Sequence, residues 1–193
     1  MGYVGSVLVP YLASLGGHEI HGFDLGYFEK FLTGPCPEYF LAKQHRGDLR
    51  TFPEKLLNNF DAVIHLAALS NDAMGVSFNK LTQEVNYQAS VRLARLAKQA
   101  GVLRFIFASS CSVYGAAGDG QSRSERDPVN PLTAYAKSKV LVEKDLQELA
   151  GPDFQVSALR FATACGPSSR LRLDLVLNDF VATAVTQKKI KIQ

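Results

Sequence analysis

Two rhythms of apolar residues alternate along this chain. Between Val4 and Leu15, Val4, Val7, Leu8, Leu12 and Leu15 recur at helical spacing, and Gly16-Gly17 ends the run. His18 to Phe23 reads as a short strand closed by Asp24. Residues 25–40, with Gly34, Pro35 and Pro37, read as a loop, and Leu41 to Arg46 as a weak strand before Gly47-Asp48. Phe52 to Asn58 suggests a short helix. "DAVIHLAAL" (61–69) is nearly continuous in apolar residues, the pattern of a strand buried on both faces of a parallel sheet. Leu81 to Gln99 predicts a long helix with Val85, Ala89, Leu93, Leu96 and Ala100 inward and Gly101 at its end. "VLRFIFASS" (102–110) is a second buried strand. Residues 115–131, rich in Gly, Ser, Asp and Pro, form a long loop of the kind that carries function. Leu132 to Leu149 is helical and stops at Gly151-Pro152, "FQVSALR" (154–160) is a strand, and Leu171 to Thr186 is helical. "KIKIQ" opens a last strand. Strands alternating with helices predict an α/β fold with a doubly wound parallel sheet, Rossmann-like, whose ligands bind at strand ends.

Composition narrows the function classes. The 193 residues are 47% hydrophobic with 8 prolines and 15 glycines, enough for one domain with a substantial core. The formal charge of +3 is spread along the chain, and no basic block offers a nucleic-acid face. Cys36, Cys111 and Cys165 lack metal-ligand spacing and read as reduced thiols of a cytoplasmic protein. No apolar run approaches the roughly 18 residues of a membrane span, and the start lacks the basic region of a signal peptide. His65 sits in a buried strand and reads as a hydrogen-bonded core residue, while His18, His21 and His45 show no metal spacing. No metal site is expected.

Three constellations carry chemistry. Gly2 and Gly5 have the spacing of the last two glycines of Gly-x-x-Gly-x-x-Gly. Gly2 would admit a pyrophosphate against the backbone, Gly5 would let the helix pack closely, and the helix N-terminus would supply free N–H groups. Asp24, 19 residues after Gly5, would accept both ribose hydroxyls and repel a 2′-phosphate, favouring NAD over NADP. The plainer alternative is a surface loop and a turn aspartate. Tyr135 and Lys139 stand at i and i+4 on one helix face, where an ammonium lowers a phenol pKa from its usual ~10 and makes a general base. Tyr and Lys on a solvated face is the alternative. Ser110 ends a buried strand and could hydrogen-bond a substrate oxygen beside Tyr135, or cap its own backbone. The order is more specific than any piece: strand-end Ser, loop, then Tyr-x-x-x-Lys on the next helix.

With those residues in place, the chain resembles the extended short-chain dehydrogenases/reductases, in particular the NAD-dependent epimerase/dehydratase group acting on nucleotide sugars. "GYVGS", "FDL", "GDLR", "HLAA", "VNYQAS", "FASSCSVYG", "NPLTAYAKSK" and "LRFATACGP" occur in the family's order and spacing. The resemblance implies that Gly2, Tyr3, Val4 and Gly5 meet the pyrophosphate of NAD and that Asp24 holds the adenosine ribose. By the same resemblance Asp48 and Leu49 flank the adenine, and Leu66, Ala67 and Ala68 line the nicotinamide half. Asn86 belongs to the central helix supporting the catalytic one. Ser110, Tyr135 and Lys139 form the catalytic set, Lys139 also holding the nicotinamide ribose. The implied reaction is hydride transfer from a sugar carbon while Tyr135 takes the hydroxyl proton, with epimerisation, at C4, when the hydride returns to the opposite face.

Departures from the family pattern bear on the substrate. The 4,6-dehydratases place an Asp-Glu pair after the strand-end Ser/Thr; here Cys111 and Ser112 stand there, which disfavours dehydration. Thr163 and Cys165 replace the usual Asn and Tyr, so substrate contacts from Ser112, Thr163 and Asn178 need not match those of relatives. Arg170 and Arg172 lie where relatives bind a nucleotide diphosphate; a solvated helix start is the favoured reading of this pair. The resemblance divides the chain into an NAD-binding domain, 1–168, and the start of a substrate region, 169–193. It also implies a first strand upstream of Met1, most of a substrate domain beyond Gln193, and a homodimer through the helices at 81–100 and 132–150. A dehydrogenase on a related carbonyl substrate, and an inactive Rossmann fragment, are the competing readings.

Overall fold

The structure is a computed structural model and describes residues 1–70, 79–116, 121–190 and 192. The chain divides into two compact units, Asp48–Ala162 and Met1–Gly47 with Thr163–Gln193.

In the unit Asp48–Ala162, strands β3 (Ala62–His65), β4 (Arg104–Ser110) and β5 (Gln155–Phe161) run parallel in that order. β4 alternates strictly, with Phe105, Phe107 and Ser109 buried and Ile106, Ala108 and Ser110 half-buried between them. The buried face is covered by two helices. The first, α2, continues from Asn79–Thr82 through a π segment, Gln83–Ala89, into Ser90–Gln99. The second, α3, spans Ala134–Leu149. Phe105, Phe154, Val102, Val113 and Val142 have no exposed surface, and Ala94 and Ala97 have none either, which lets the helices approach. Burying each large apolar side chain contributes about 1.5–3 kcal/mol. His65 is buried, accepts or donates at 2.7 Å to Ser90 Oγ, and stacks on Phe107, as a packed core histidine should.

In the other unit, α1 spans Gly5–Leu15, and β1 (His21–Asp24) pairs in parallel with β2 (Lys43–Arg46). A single turn at Pro37–Phe40 and helix α4 (Val176–Gln187) complete it. Among the described residues the strands form two separate sheets, β1-β2 and β3-β4-β5.

Several expectations need correction. The strand expected over 61–69 covers only Ala62–His65, and Ile64 is 40% exposed because both long helices of the unit lie on the His65 side. The helix expected over Val4–Leu15 runs Gly5–Leu15, and in it Gly5, Ser6 and Val9 are buried whereas Val7 and Leu15 are exposed. Apolar residues flank that helix on two sides, so periodicity alone did not choose between them. The helix expected from Leu171 begins at Val176, because Asn178 Nδ2 donates to the Arg172 carbonyl and Arg172 pairs with Asp174 ahead of it. In α2 the buried set is Thr82, Asn86, Ala89, Ser90, Val91, Leu93, Ala94 and Ala97; Ala89 and Leu93 of the expected stripe are among them, whereas Val85, Leu96 and Ala100 lie at its margin, half-buried. Lys189, Ile190 and Ile192 are not in a strand, and residues 191 and 193 lie outside the described residues, as do 117–120 of the long loop.

Candidate active site

The unit Asp48–Ala162 brings Ser110, Tyr135 and Lys139 onto facing elements. Thr133 caps α3 by accepting from the Ala136 N–H at 3.1 Å, so Tyr135 falls in the first turn and Lys139 one turn later on the same face. Lys139 is only 3% exposed. Its Nζ donates to the Ala108 carbonyl at 2.7 Å and lies 4.6 Å from the Phe107 ring centre and 5.3 Å from that of Tyr135. Burial pushes its pKa down to about 8, while the Glu143 carboxylate pulls the other way. The solvated-face alternative therefore fails for Lys139.

Ser110 stands two residues beyond that carbonyl, at the end of β4. Its Oγ accepts from the Ser112 N–H at 3.2 Å and from Ser112 Oγ at 2.9 Å, capping the short turn Cys111–Tyr114. A hydroxyl that accepts two bonds still has its own proton to donate. Cys111 is exposed and no carboxylate occupies the two positions after Ser110.

Behind β3, Asn86 ties down the strand end. Its Oδ1 accepts from the Leu69 N–H at 2.8 Å and its Nδ2 donates to the Leu69 carbonyl at 3.0 Å, so the chain through Leu66, Ala67 and Ala68 is fixed from beyond the strand. Asp48 caps the turn Leu49–Thr51, and the Arg50 guanidinium forks onto its carboxylate at 2.6 and 3.1 Å. That bond holds the Asp48 carboxyl below its ordinary value.

The other unit carries the dinucleotide candidates. The N-terminus of α1 has no side-chain cap at Val4 and no acid in its first turn. A Cβ added to Gly2 would meet nothing within 4 Å, whereas one on Gly5 would lie 3.2 Å from the Met1 side chain. An uncapped helix start beside an open glycine fits a phosphate. Asp24 ends β1 and accepts the Gly26 N–H at 2.6 Å through Oδ1, with the Met1 ammonium at 3.4 Å.

Residues 163–178 shape this loop, a role the sequence did not disclose. Tyr3 donates its hydroxyl to the Gly166 carbonyl at 2.8 Å, and Ser168 Oγ donates to the Tyr3 carbonyl at 2.9 Å. Asn178 accepts from the Gly166 N–H at 2.9 Å and commits both amide hydrogens, to Tyr3 and to the Arg172 carbonyl. Thr163 is exposed. Arg170 is not solvated: 3% exposed, it pairs with Glu38 at 3.0 Å and donates to Ser6 Oγ and to the carbonyls of Phe28 and Glu29. Burial alone would raise the Glu38 pKa, but hydrogen bonds from Cys36, its own backbone, Arg170 and the Met1 ammonium bring it down to about 2. Among the described residues no group of three or more His, Cys, Asp or Glu could hold a metal, and no helix is long and apolar enough to cross a membrane.

A model of the NAD dependent epimerase/dehydratase family matches residues 1–193. A UDP-glucose 4-epimerase of Neisseria meningitidis serogroup C is 32% identical over 111 residues, 56% of this chain and 33% of the relative. Two solved structures superpose closely. MoeE5 in complex with UDP-glucose and NAD is 32% identical with a TM-score of 0.79, over 97% of this chain and 59% of that one. TunA, an NAD-dependent NDP-hexosamine 5,6-dehydratase of tunicamycin biosynthesis, is 25% identical with a TM-score of 0.85, over 100% of this chain and 61% of that one. The chain thus spans about a third to three fifths of the length of these proteins.

Proposed function

Because this chain belongs to the NAD-dependent epimerase/dehydratase family, we infer that it carries the cofactor and catalytic parts of a nucleotide-sugar epimerase acting at C4 through a transient keto sugar. The observation that carries this reading is the buried Lys139 ammonium, 5.3 Å from the Tyr135 ring and bonded to the strand that ends in Ser110. NAD would supply a carbon that accepts and returns hydride. Tyr135 takes the proton of the sugar hydroxyl as general base and gives it back as general acid. Lys139 steadies negative charge on the Tyr135 oxygen and holds the nicotinamide ribose. Ser110 donates its remaining proton to the sugar oxygen, with Ser112 and Thr163 beside the sugar.

Gly2, Tyr3, Val4 and Gly5 hold the pyrophosphate, Asp24 the adenosine ribose, Asp48 and Leu49 the adenine, and Leu66, Ala67 and Ala68 the nicotinamide half. Asn86 fixes that last segment, and Asn178 acts by holding Tyr3 rather than by touching sugar. In this reading residues 1–168 are the NAD-binding domain and 169–193 open the substrate region. The protein works in the cytoplasm on a nucleotide-diphosphate sugar, UDP-glucose being the first to test, and pairs as a homodimer through the helices at 81–100 and 132–150. The absence of an acid at Cys111 and Ser112 favours epimerisation over 4,6-dehydration.

The test is Tyr135→Phe in the full-length protein. Turnover of UDP-glucose to UDP-galactose should fall on the order of 10²–10⁴-fold, while NAD binding, followed by fluorescence titration, stays near that of the parent. Near-normal turnover would remove Tyr135 from the mechanism. Net accumulation of reduced cofactor during turnover would point to a dehydrogenase instead.

A further inference from the structure

One ion pair joins every element that carries the candidate catalytic set, yet the proton chemistry does not use it. Glu143 lies one helical turn after Lys139 on α3. Its Oε1 accepts from Ser109 Oγ, the residue before Ser110 on β4. Arg160 on β5 forks onto the same carboxylate, Nη2 to Oε2 at 2.6 Å and Nε to Oε1 at 3.1 Å. The remaining Nη1 donates to the Tyr114 hydroxyl at 2.9 Å and to the Glu125 carbonyl at 3.4 Å. The guanidinium also lies 5.1 Å from the Tyr114 ring centre. Tyr114 ends the turn that Ser110 caps. The two side chains are 18% and 14% exposed, so water screens the pair only in part. A planar fork on a carboxylate fixes direction as well as distance.

Resting on the epimerase reading above, we propose that Glu143 and Arg160 are positioning residues: their ion pair sets Ser110 against Tyr135 and Lys139, and the Glu143 charge keeps Lys139 an ammonium. The groups around Lys139 support the second part. It bonds the Ala108 carbonyl and lies over the Phe107 ring from β4 and over Tyr135 from α3. Glu143 stands one turn on along α3 with its carboxylate on Ser109, the residue after Ala108. The titratable groups that act across this space are Glu143 and, from β3, the imidazole of His65. Burial, and then the Lys139 charge, push His65 down to about 3, so it stays neutral and adds nothing. Burial drives the proton off Lys139, and Glu143 is the anion among these groups that opposes it. Arg160, by holding Glu143 from the other side, keeps that anion in place.

Two variants of the full-length protein separate geometry from charge. Glu143→Gln keeps the volume and removes the charge; Arg160→Lys keeps the charge and loses the fork. Lysines labelled with ¹³C at Cε report the Lys139 titration by NMR, its resonance assigned by its loss in Lys139→Arg. Removing an anion favours the neutral amine, so Glu143→Gln should lower the Lys139 midpoint by about half a unit or more. The alkaline limb of kcat should move to lower pH with it. In Arg160→Lys the midpoint should stay, and kcat should fall on the order of 10- to 100-fold with KM changed less than about threefold. Either an unmoved Lys139 midpoint in Glu143→Gln, or a kcat within about twofold of the parent in both variants, would overturn the proposal. Full turnover in Tyr135→Phe would instead sink the epimerase reading, and the Lys139 midpoint in Glu143→Gln would still decide the role of the carboxylate.

Discussion

The two compact units hold themselves together by different means. Asp48–Ala162 is built on apolar contact: Phe105, Phe107, Phe154, Leu146 and Val142 are shut off from water, and the polar groups buried among them, His65 with Ser90 and Lys139 with the Ala108 carbonyl, are paired. The unit of Met1–Gly47 and Thr163–Gln193 buries little beyond Met1, Val9 and Pro37, and its interior is largely polar: Arg170 against Glu38, and Asn178 against Tyr3 and Gly166. The candidate catalytic set stands on the first kind of foundation, with the single Glu143–Arg160 fork at its edge, and the glycine loop on the second. Apolar packing is indifferent to small changes of direction, whereas hydrogen bonds fix it. A loop that must present backbone to a phosphate gains more from direction; a lysine that must stay buried gains more from a dry core.

The contrast can be broken from either side. Phe105→Ala removes the centre of the apolar unit and should cost about 3–5 kcal/mol, read as a large drop in the urea midpoint. Arg170→Met strikes the polar unit and should cost less, about 1.5–3 kcal/mol, because Glu38 is itself not fully buried and keeps the Cys36 thiol as a partner. Hydrogen exchange should then rise in peptides from 1–47 and 163–190 while those around Phe105 change little. Uniform loss of protection in both variants would merge the two units into one.

Acid should separate them without mutation. His65, buried neutral with a pKa of about 3, binds its proton more readily when unfolded, so its unit is at full strength above the ordinary histidine value of 6.5 and weakens as pH falls from there toward 3. The slope is about 1.4 kcal/mol per pH unit. Glu38, held at about 2, contributes in full above the ordinary 4.5 and loses that contribution only as pH falls toward 2. Exchange at pH 5 should therefore already rise around His65 while the surroundings of Glu38 stay protected. The smallest effect is expected from Asp24→Ala, which should erode a preference for NAD over NADP by about tenfold and lower the thermal midpoint only by the loss of the bond from the Gly26 N–H, about 1 kcal/mol. Equal affinity for the two cofactors in the parent would remove Asp24 from cofactor choice.

The sequence showed most where the relevant partners are close along the chain. Tyr135 and Lys139 share a helix turn, Ser110 follows an alternating strand, and the order of strands and helices is a local pattern repeated. It showed least where partners are remote. Arg160 finds Glu143 across 17 residues and Arg170 finds Glu38 across 132, and neither spacing has a periodic signature. Charge made Arg170 look solvated, because nothing local marks the carbonyls of Phe28 and Glu29 that receive it. Which flank of α1 is buried was not legible either, since its apolar residues stand on two sides and the buried positions Gly5, Ser6 and Val9 carry only one large apolar side chain. His65 was easier, since a histidine inside an apolar strand must find a partner or stay neutral, and here it does both.

The buried side of α2 is a banner of two colours. Thr82, Asn86, Ala89, Ser90, Leu93 and Ala97 recur three or four residues apart and so share one side of the rod, although the backbone passes through a π segment at Gln83–Ala89. The leading end of that side is polar and the trailing end apolar. One continuous rod therefore offers an amide to the chain beyond β3 and a smooth apolar strip to α3. Two tasks that want opposite chemistry are kept in register by one piece of backbone.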